Sequence, residues 1–96
     1  MDFQFEWDRH KAKANLRKHE VSYTEALTVF MDPLAYTIED AVHSETETRE
    51  VIIGHSSEDR LLLVGFTQRA EDVIRIFSAR EATRKERRDY EENANS

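Results

Sequence analysis

Phe3, Phe5 and Trp7 alternate with Gln4, Glu6 and Asp8, the two-residue period of a half-buried strand. Asp8 then stands where a helix N-cap belongs. Arg9 to His19 runs without Gly or Pro, so a short helix is predicted there, with Lys11, Asn15 and His19 on one face. Ser22-Tyr23-Thr24-Glu25 is a capping box: the Ser22 hydroxyl is placed to accept from the Glu25 amide while the Glu25 carboxylate reaches back. It opens a second helix whose buried stripe is Ala26, Leu27, Val29 and Phe30, stopped at Asp32-Pro33 because the residue before proline is pushed out of the α region. Helices of about eleven and about nine residues would thus make an N-terminal hairpin.

After Pro33 the pattern turns to strand. Leu34 to Glu39, Arg49 to His55, Arg60 to Gln68 and Asp72 to Ser78 are rich in Val, Ile, Leu, Phe and Tyr and are separated by polar turns. Connections as short as Ser56-Ser57-Glu58-Asp59 and Arg69-Ala70-Glu71 leave no room for crossover helices, so at least the last three strands form an antiparallel meander. Leu61 to Val64 is apolar at consecutive positions, which places that strand centrally, covered on both faces. A second capping box, Thr83-Arg84-Lys85-Glu86, starts a C-terminal helix whose one large apolar residue is Tyr90, a surface helix that needs tertiary or partner contacts. The predicted class is α+β: an N-terminal helical hairpin packed on an antiparallel sheet, with a C-terminal helix, in a single domain spanning residues 1–96.

Composition narrows the chemistry. The chain has 96 residues, 39% hydrophobic and 35% charged, enough apolar material for one modest core. It has no cysteine, which removes disulfides and thiolate metal sites. No stretch approaches the roughly 18 apolar residues of a membrane span, so a soluble, cytoplasmic protein is expected. The net charge of -6 argues against nucleic acid as a sum but not as a distribution. Arg9, Lys11, Lys13, Arg17 and Lys18 cluster early, seven more bases fall between Arg69 and Arg88, and the acids concentrate between Glu20 and Glu50. Folding could join the two basic blocks on one face; a generally solvated, mixed-charge surface is the alternative reading.

His10, His19, His43 and His55 are dispersed, with no pair spaced to put two ligands on one helical turn, so no metal is expected. Gly54 and Gly65 are the two glycines, which leaves neither a phosphate-cradling loop nor a dinucleotide fingerprint, and no cofactor is expected. What remains is an arginine set: Arg69 in the turn before the last strand, Arg75 within it, Arg80 just past its end, and Arg49 at the start of another strand. Arg75 alternates with Ile74 and Ile76 and must be paired with an acid such as Glu50 or Asp72, exposed at an edge, or aimed at an anionic ligand. Metal-free cleavage of RNA needs a base for the 2′-hydroxyl, an acid for the departing 5′-oxygen and fixed positive charge on the phosphorane. Arginine suits the last role because its planar fork binds two phosphate oxygens. For proton transfer the candidates are His43, His19 and Tyr90, with a desolvated Lys18 as a further one.

Taken in order, several motifs resemble the BrnT toxin family. They are Phe5-Glu6-Trp7-Asp8, Lys11, Asn15, Lys18-His19, Val21-Ser22-Tyr23-x-Glu25-Ala26, Phe30-x-Asp32-Pro33, His43-Ser44-Glu45-x-Glu47-x-Arg49 and Arg60-Leu61-Leu62. Arg69, Ile74-Arg75-Ile76-x-Ser78-Ala79-Arg80 and Glu86-Arg87-x-x-Tyr90-Glu91 complete the set. The resemblance implies a RelE-like fold, metal-independent RNA cleavage that arrests translation and growth, and a BrnA-type antitoxin with a ribbon-helix-helix DNA-binding region. A heterotetramer with that antitoxin, repressing its own operon, is the expected assembly. Arg69, Arg75 and Arg80 match the arginine-bearing part of the pattern, and Lys18 and His19 its basic helical motif, so Lys11, Lys18, His19 and Arg49 are expected to contact RNA. Glu20 stands where the family carries glycine, which puts the exit from the first helix in question. The competing expectation is a non-catalytic partner-binding module acting in transcriptional autoregulation; a metal-dependent hydrolase ranks below both.

Overall fold

The computed structural model describes residues 3–39 and 48–94; His43, with Ser44, Glu45 and Glu47 of the family pattern, lies outside them. The N-terminal alternation becomes β1, Gln4–Glu6, and the predicted first helix becomes α1, Arg9–His19. Asp8 caps α1, its carboxylate accepting from the backbone N–H of His10 at 2.8 Å and of Lys11 at 3.1 Å. The helix leaves through Glu20 at φ 57°, its N–H donating to the Leu16 carbonyl at 2.9 Å. The left-handed exit is therefore kept without glycine. The strain is offset by Arg60, whose Nη2 donates to the Glu20 carbonyl at 2.9 Å.

The second helix differs from the expectation. Ser22 Oγ accepts from the Glu25 amide at 3.0 Å as predicted, but the reciprocal half of the box does not form. The Glu25 carboxylate instead accepts from Arg60 Nε at 3.0 Å and from the Ser56 hydroxyl at 2.7 Å, because a guanidinium is a stronger partner for a buried carboxylate than a backbone amide. That guanidinium holds the Glu25 carboxyl below its ordinary value. The α-helical part, α2, is only Tyr23–Ala26, and the chain continues as a 3-10 turn, Leu27–Met31. Thr28 Oγ1 donates to the Glu25 carbonyl at 2.6 Å, taking the acceptor that the next α-type bond would use.

Four further strands complete one sheet: β2 (Tyr36–Glu39), β3 (Glu50–His55), β4 (Leu61–Ala70) and β5 (Val73–Glu81), in the order β1-β5-β4-β3-β2. The β2 to β5 neighbours are antiparallel, with β4 central as the unbroken apolar run predicts. The sheet is nevertheless mixed rather than antiparallel, because β1 pairs parallel to β5 through Phe5 opposite Ile74. The whole intervening chain serves as the crossover that a parallel pair needs. β5 runs to Glu81, so Arg80 lies within the strand and not past its end.

Side-chain alternation divides the sheet into two apolar faces. On one, Ile52, Leu62, Val64, Phe66, Ile74, Ile76 and Ala79 pack with Val21, Tyr23, Ala26 and Val29 from the helical half. On the other, Ile53 and Leu61 meet Tyr90 of the C-terminal helix α3, Arg84–Ala94. The Thr83 box forms in both directions: Glu86 N–H donates to Thr83 Oγ1 at 3.2 Å and Thr83 N–H to Glu86 Oε1 at 2.8 Å. Tyr90 is 3% exposed, lies parallel to Tyr36 at 6.0 Å between centroids, and donates its hydroxyl to Asp32 Oδ2 at 3.0 Å. One aromatic residue thus anchors a helix that is otherwise polar.

Candidate functional site

β5 carries two of the residues on which the chemistry was expected to rest, Arg75 and Arg80, and a bulge decides where they point. Gly65 stands opposite Ser78 and Phe66 opposite Ile76, so Phe77 is the extra residue. Ile74, Ile76 and Ala79 are buried toward the helical half, which turns Arg75, Phe77, Ser78 and Arg80 to the face that α3 partly covers. Gly65 makes this arrangement possible. A Cβ there would overlap Ser78 Oγ and approach the Phe77 ring to 2.9 Å. The Arg49 guanidinium lies over the Phe77 ring, 4.4 Å from its centroid.

β1 pairs only with Val73–Arg75, so the later part of β5 has an unpaired edge. Asn15 of α1 fills it: Nδ2 donates to the Ala79 carbonyl at 2.8 Å and Oδ1 accepts from the Ala79 N–H at 3.2 Å, as a neighbouring strand would. The same Nδ2 donates to Val21 O at 3.0 Å. This clamp holds the basic face of α1 against the bulge. A depression of about 380 Å³ is lined by His19, Ser78, Ala79 and Arg80 at the rim and Val51, Leu63 and Gly65 on the floor. An adjoining hollow, sharing His19 and Ser78, is lined also by Lys11, Lys18 and Phe77.

Arg80 is held in one orientation. Its Nη1 and Nη2 donate to the two oxygens of Glu86, both at 2.8 Å, and Nη1 also donates to the Glu81 carbonyl at 3.2 Å. A guanidinium has five N–H donors. The remaining two, Nε–H and the second N–H of Nη2, point the same way and form one fork suited to two oxygens of a phosphate. The guanidinium brings the Glu86 carboxyl down to about 2, and Glu86 raises Arg80 in turn. At neutral pH both partners are charged.

The expected residues separate accordingly. His19 and Arg80 share one depression and Lys11 and Lys18 border its neighbour, while Arg49 reaches the same region over Phe77. Arg75 lies on the same face but pairs with Glu6 at 3.0 Å, not with Glu50 or Asp72. Arg69 is the bulge residue of β4 at the β4–β5 hairpin, where Gln68 faces Ile74 and Ala70 faces Val73. Tyr90 sits in the core beneath α3, where burial and Asp32 push its hydroxyl up to about 12. Asn15, Phe77 and Glu86 were not singled out by sequence reasoning as site residues. The Glu86 capping box was legible, but its contact with Arg80 follows no helical or strand period. Among the described residues, no three His, Cys, Asp or Glu side chains gather in a way that could hold a metal ion, and no helix is long and apolar enough to cross a membrane.

The comparisons agree with this architecture. A crystal structure of the Brucella abortus ribonuclease toxin, BrnT, matches with a TM-score of 0.65 over 85% of this chain and 99% of that one, at 18% identity, which speaks for the fold. No curated protein sequence matches significantly. A family model described as the ribonuclease toxin, BrnT, of type II toxin-antitoxin system matches residues 7–86. With most of its length covered by that model, the chain belongs to the BrnT family of ribonuclease toxins of type II toxin-antitoxin systems.

Proposed function

We propose that the chain is a metal-independent endoribonuclease whose reaction takes place in the depression between the C-terminal end of α1 and the bulge of β5. The observation that carries the reading is the pairing of a proton carrier, His19, with a preoriented guanidinium, Arg80, in one concave site that continues into the lysine-lined hollow. The Arg80 fork receives two non-bridging oxygens of a phosphodiester and neutralises the charge that develops on them. The 2′-hydroxyl attacks phosphorus as its proton passes to a base; the bond to the 5′-oxygen breaks and that oxygen takes a proton from an acid. A 2′,3′-cyclic phosphate and a 5′-hydroxyl result. His19 serves one proton transfer, and His43 is the expected carrier for the other. Lys11, Lys18 and Arg49 contact the flanking backbone, while Arg69 and Tyr90 lie outside the depression and take no part.

The same proposal includes the RelE-like character of the fold, arrest of translation and growth in the cytoplasm, and a BrnA-type antitoxin with a ribbon-helix-helix region, assembled as a heterotetramer. The test is degradation of RNA by the purified chain in EDTA, alongside growth after expression without an antitoxin. Arg80→Lys keeps a charge for Glu86 but removes the fork. It and His19→Gln are expected to abolish cleavage while the protein stays folded, and undiminished cleavage by both would overturn the assignment. A non-catalytic binding module is the second reading, favoured by the acidic partners of Arg75 and Arg80; it predicts no RNA loss and no growth effect from the wild type.

A further inference from the structure

We infer that the apolar floor beside Arg80 is a nucleobase subsite, which takes the face of one unstacked base of an RNA strand whose phosphate is held by the Arg80 fork. The inference rests on the ribonuclease reading and specifies the form of RNA it acts on. Its starting point is Val51. In the strand register Val51 lies between Ile38 of β2 and Gly65 of β4. It belongs to neither of the two cores, yet it is an aliphatic side chain, half-buried, on the floor of the depression. Leu63 continues the surface as far as Gly65, over which the Ser78 hydroxyl lies. The result is a short apolar strip, Val51 open to the depression and Leu63 packed at the edge of the second core, bordered by a guanidinium and an imidazole.

A nucleotide is the ligand that matches such a border: a flat apolar face joined through a sugar to an anion. A phosphate ion alone would have no use for the floor, and the depression, about 380 Å³, falls in the size range of small-molecule sites. A base inside a duplex has both faces stacked and cannot lie on the strip, so the strand must be single or locally opened. Apart from the Ser78 hydroxyl over Gly65, the floor side chains Val51 and Leu63 are aliphatic and cannot read a base edge, so base identity should matter little. Charge also sets the direction of the strand. The groove on the other side of Val51 and Leu63 is rimmed by Glu86 and Asp89, already paired with Arg80 and Lys85 and adding no net positive charge, whereas the hollow beyond His19 is rimmed by Lys11 and Lys18. The strand should leave toward α1 and away from α3.

The test is methyl NMR of the full chain, isotopically labelled at Val and Leu, titrated with a 2′-deoxy dinucleotide that lacks the attacking hydroxyl. A second titration uses the same backbone with abasic sugars. The Val51 and Leu63 methyls are expected to shift with the dinucleotide but not with the abasic strand, whose affinity should be about tenfold lower. Val51→Ser, which touches neither core, should weaken dinucleotide binding about threefold and leave abasic binding unchanged. Equal shifts with both ligands, or none at these methyls with either, would overturn the subsite. Cleavage that depends on Arg80 but ignores the base would leave the ribonuclease reading standing alone. Base-dependent shifts without cleavage would do the reverse.

Discussion

Glu86 is the residue whose loss should be felt in two places, because one carboxylate both orients Arg80 and closes the N-terminus of α3. In Glu86→Gln an amide oxygen remains for Thr83, but the charge and half of the bidentate contact are gone. The drop of the Glu86 carboxyl from 4.5 to about 2 would correspond to at most about 3 kcal/mol of stability. Arg80 is 41% exposed, and solvent screening reduces the expected loss to about 1 to 2 kcal/mol, or about 5 to 15 °C in Tm for a domain of this size. The pH dependence has a defined sign. The folded-state value lies below the unfolded one, so the contribution is fully present above about pH 4.5 and is lost as pH falls through about 2. Thermal unfolding followed by circular dichroism at pH 7, 4.5 and 3 should show the gap between wild type and variant narrowing by about half at the lowest pH. Thr83→Ala separates the two roles: it removes the capping hydroxyl at a cost of about 1 kcal/mol, with a gap that closes much less in acid because the Thr83 hydroxyl is the smallest of the causes that lower Glu86. Equal melting temperatures at pH 7, or a gap that is the same at pH 7 and pH 3, would refute the reasoning.

Two further outcomes follow from buried polar contacts. Asn15→Leu should cost about 2 to 4 kcal/mol in urea unfolding, since it strands the Ala79 N–H and two carbonyls away from water, and it should release α1 from the β5 edge. Tyr90→Phe should cost about 1 kcal/mol at pH 7 by removing the bond to Asp32. The Tyr90 hydroxyl is raised to about 12 in the folded state, so its contribution is present below pH 10 and lost as pH rises through about 12. Denaturant midpoints for the wild type and Tyr90→Phe should therefore converge in strong alkali; a difference that grows there would show that Tyr90 is held as the anion.

Local rules were enough for what depends on neighbours in the chain. The Asp8 cap, the Ser22 hydroxyl contact, the Thr83–Glu86 box, the antiparallel meander and the central place of Leu61 to Val64 follow from residues within a few positions of one another. The failed half of the Ser22 box and the tie on the Glu20 carbonyl do not, because they depend on Arg60, 35 and 40 residues away. The parallel pairing of β1 with β5 joins segments about seventy residues apart, and no periodicity in either one encodes its partner. The site divides along the same line. Its residue types were legible: basic side chains on one face of α1 and an arginine on each side of the last strand's apolar positions. Their convergence was not, because it depends on a single extra residue in β5, which turns Phe77 and Ser78 to one face and brings Arg80 into the depression that His19 also lines. A bulge is a property of two strands in register, and register exists only once the sheet has formed.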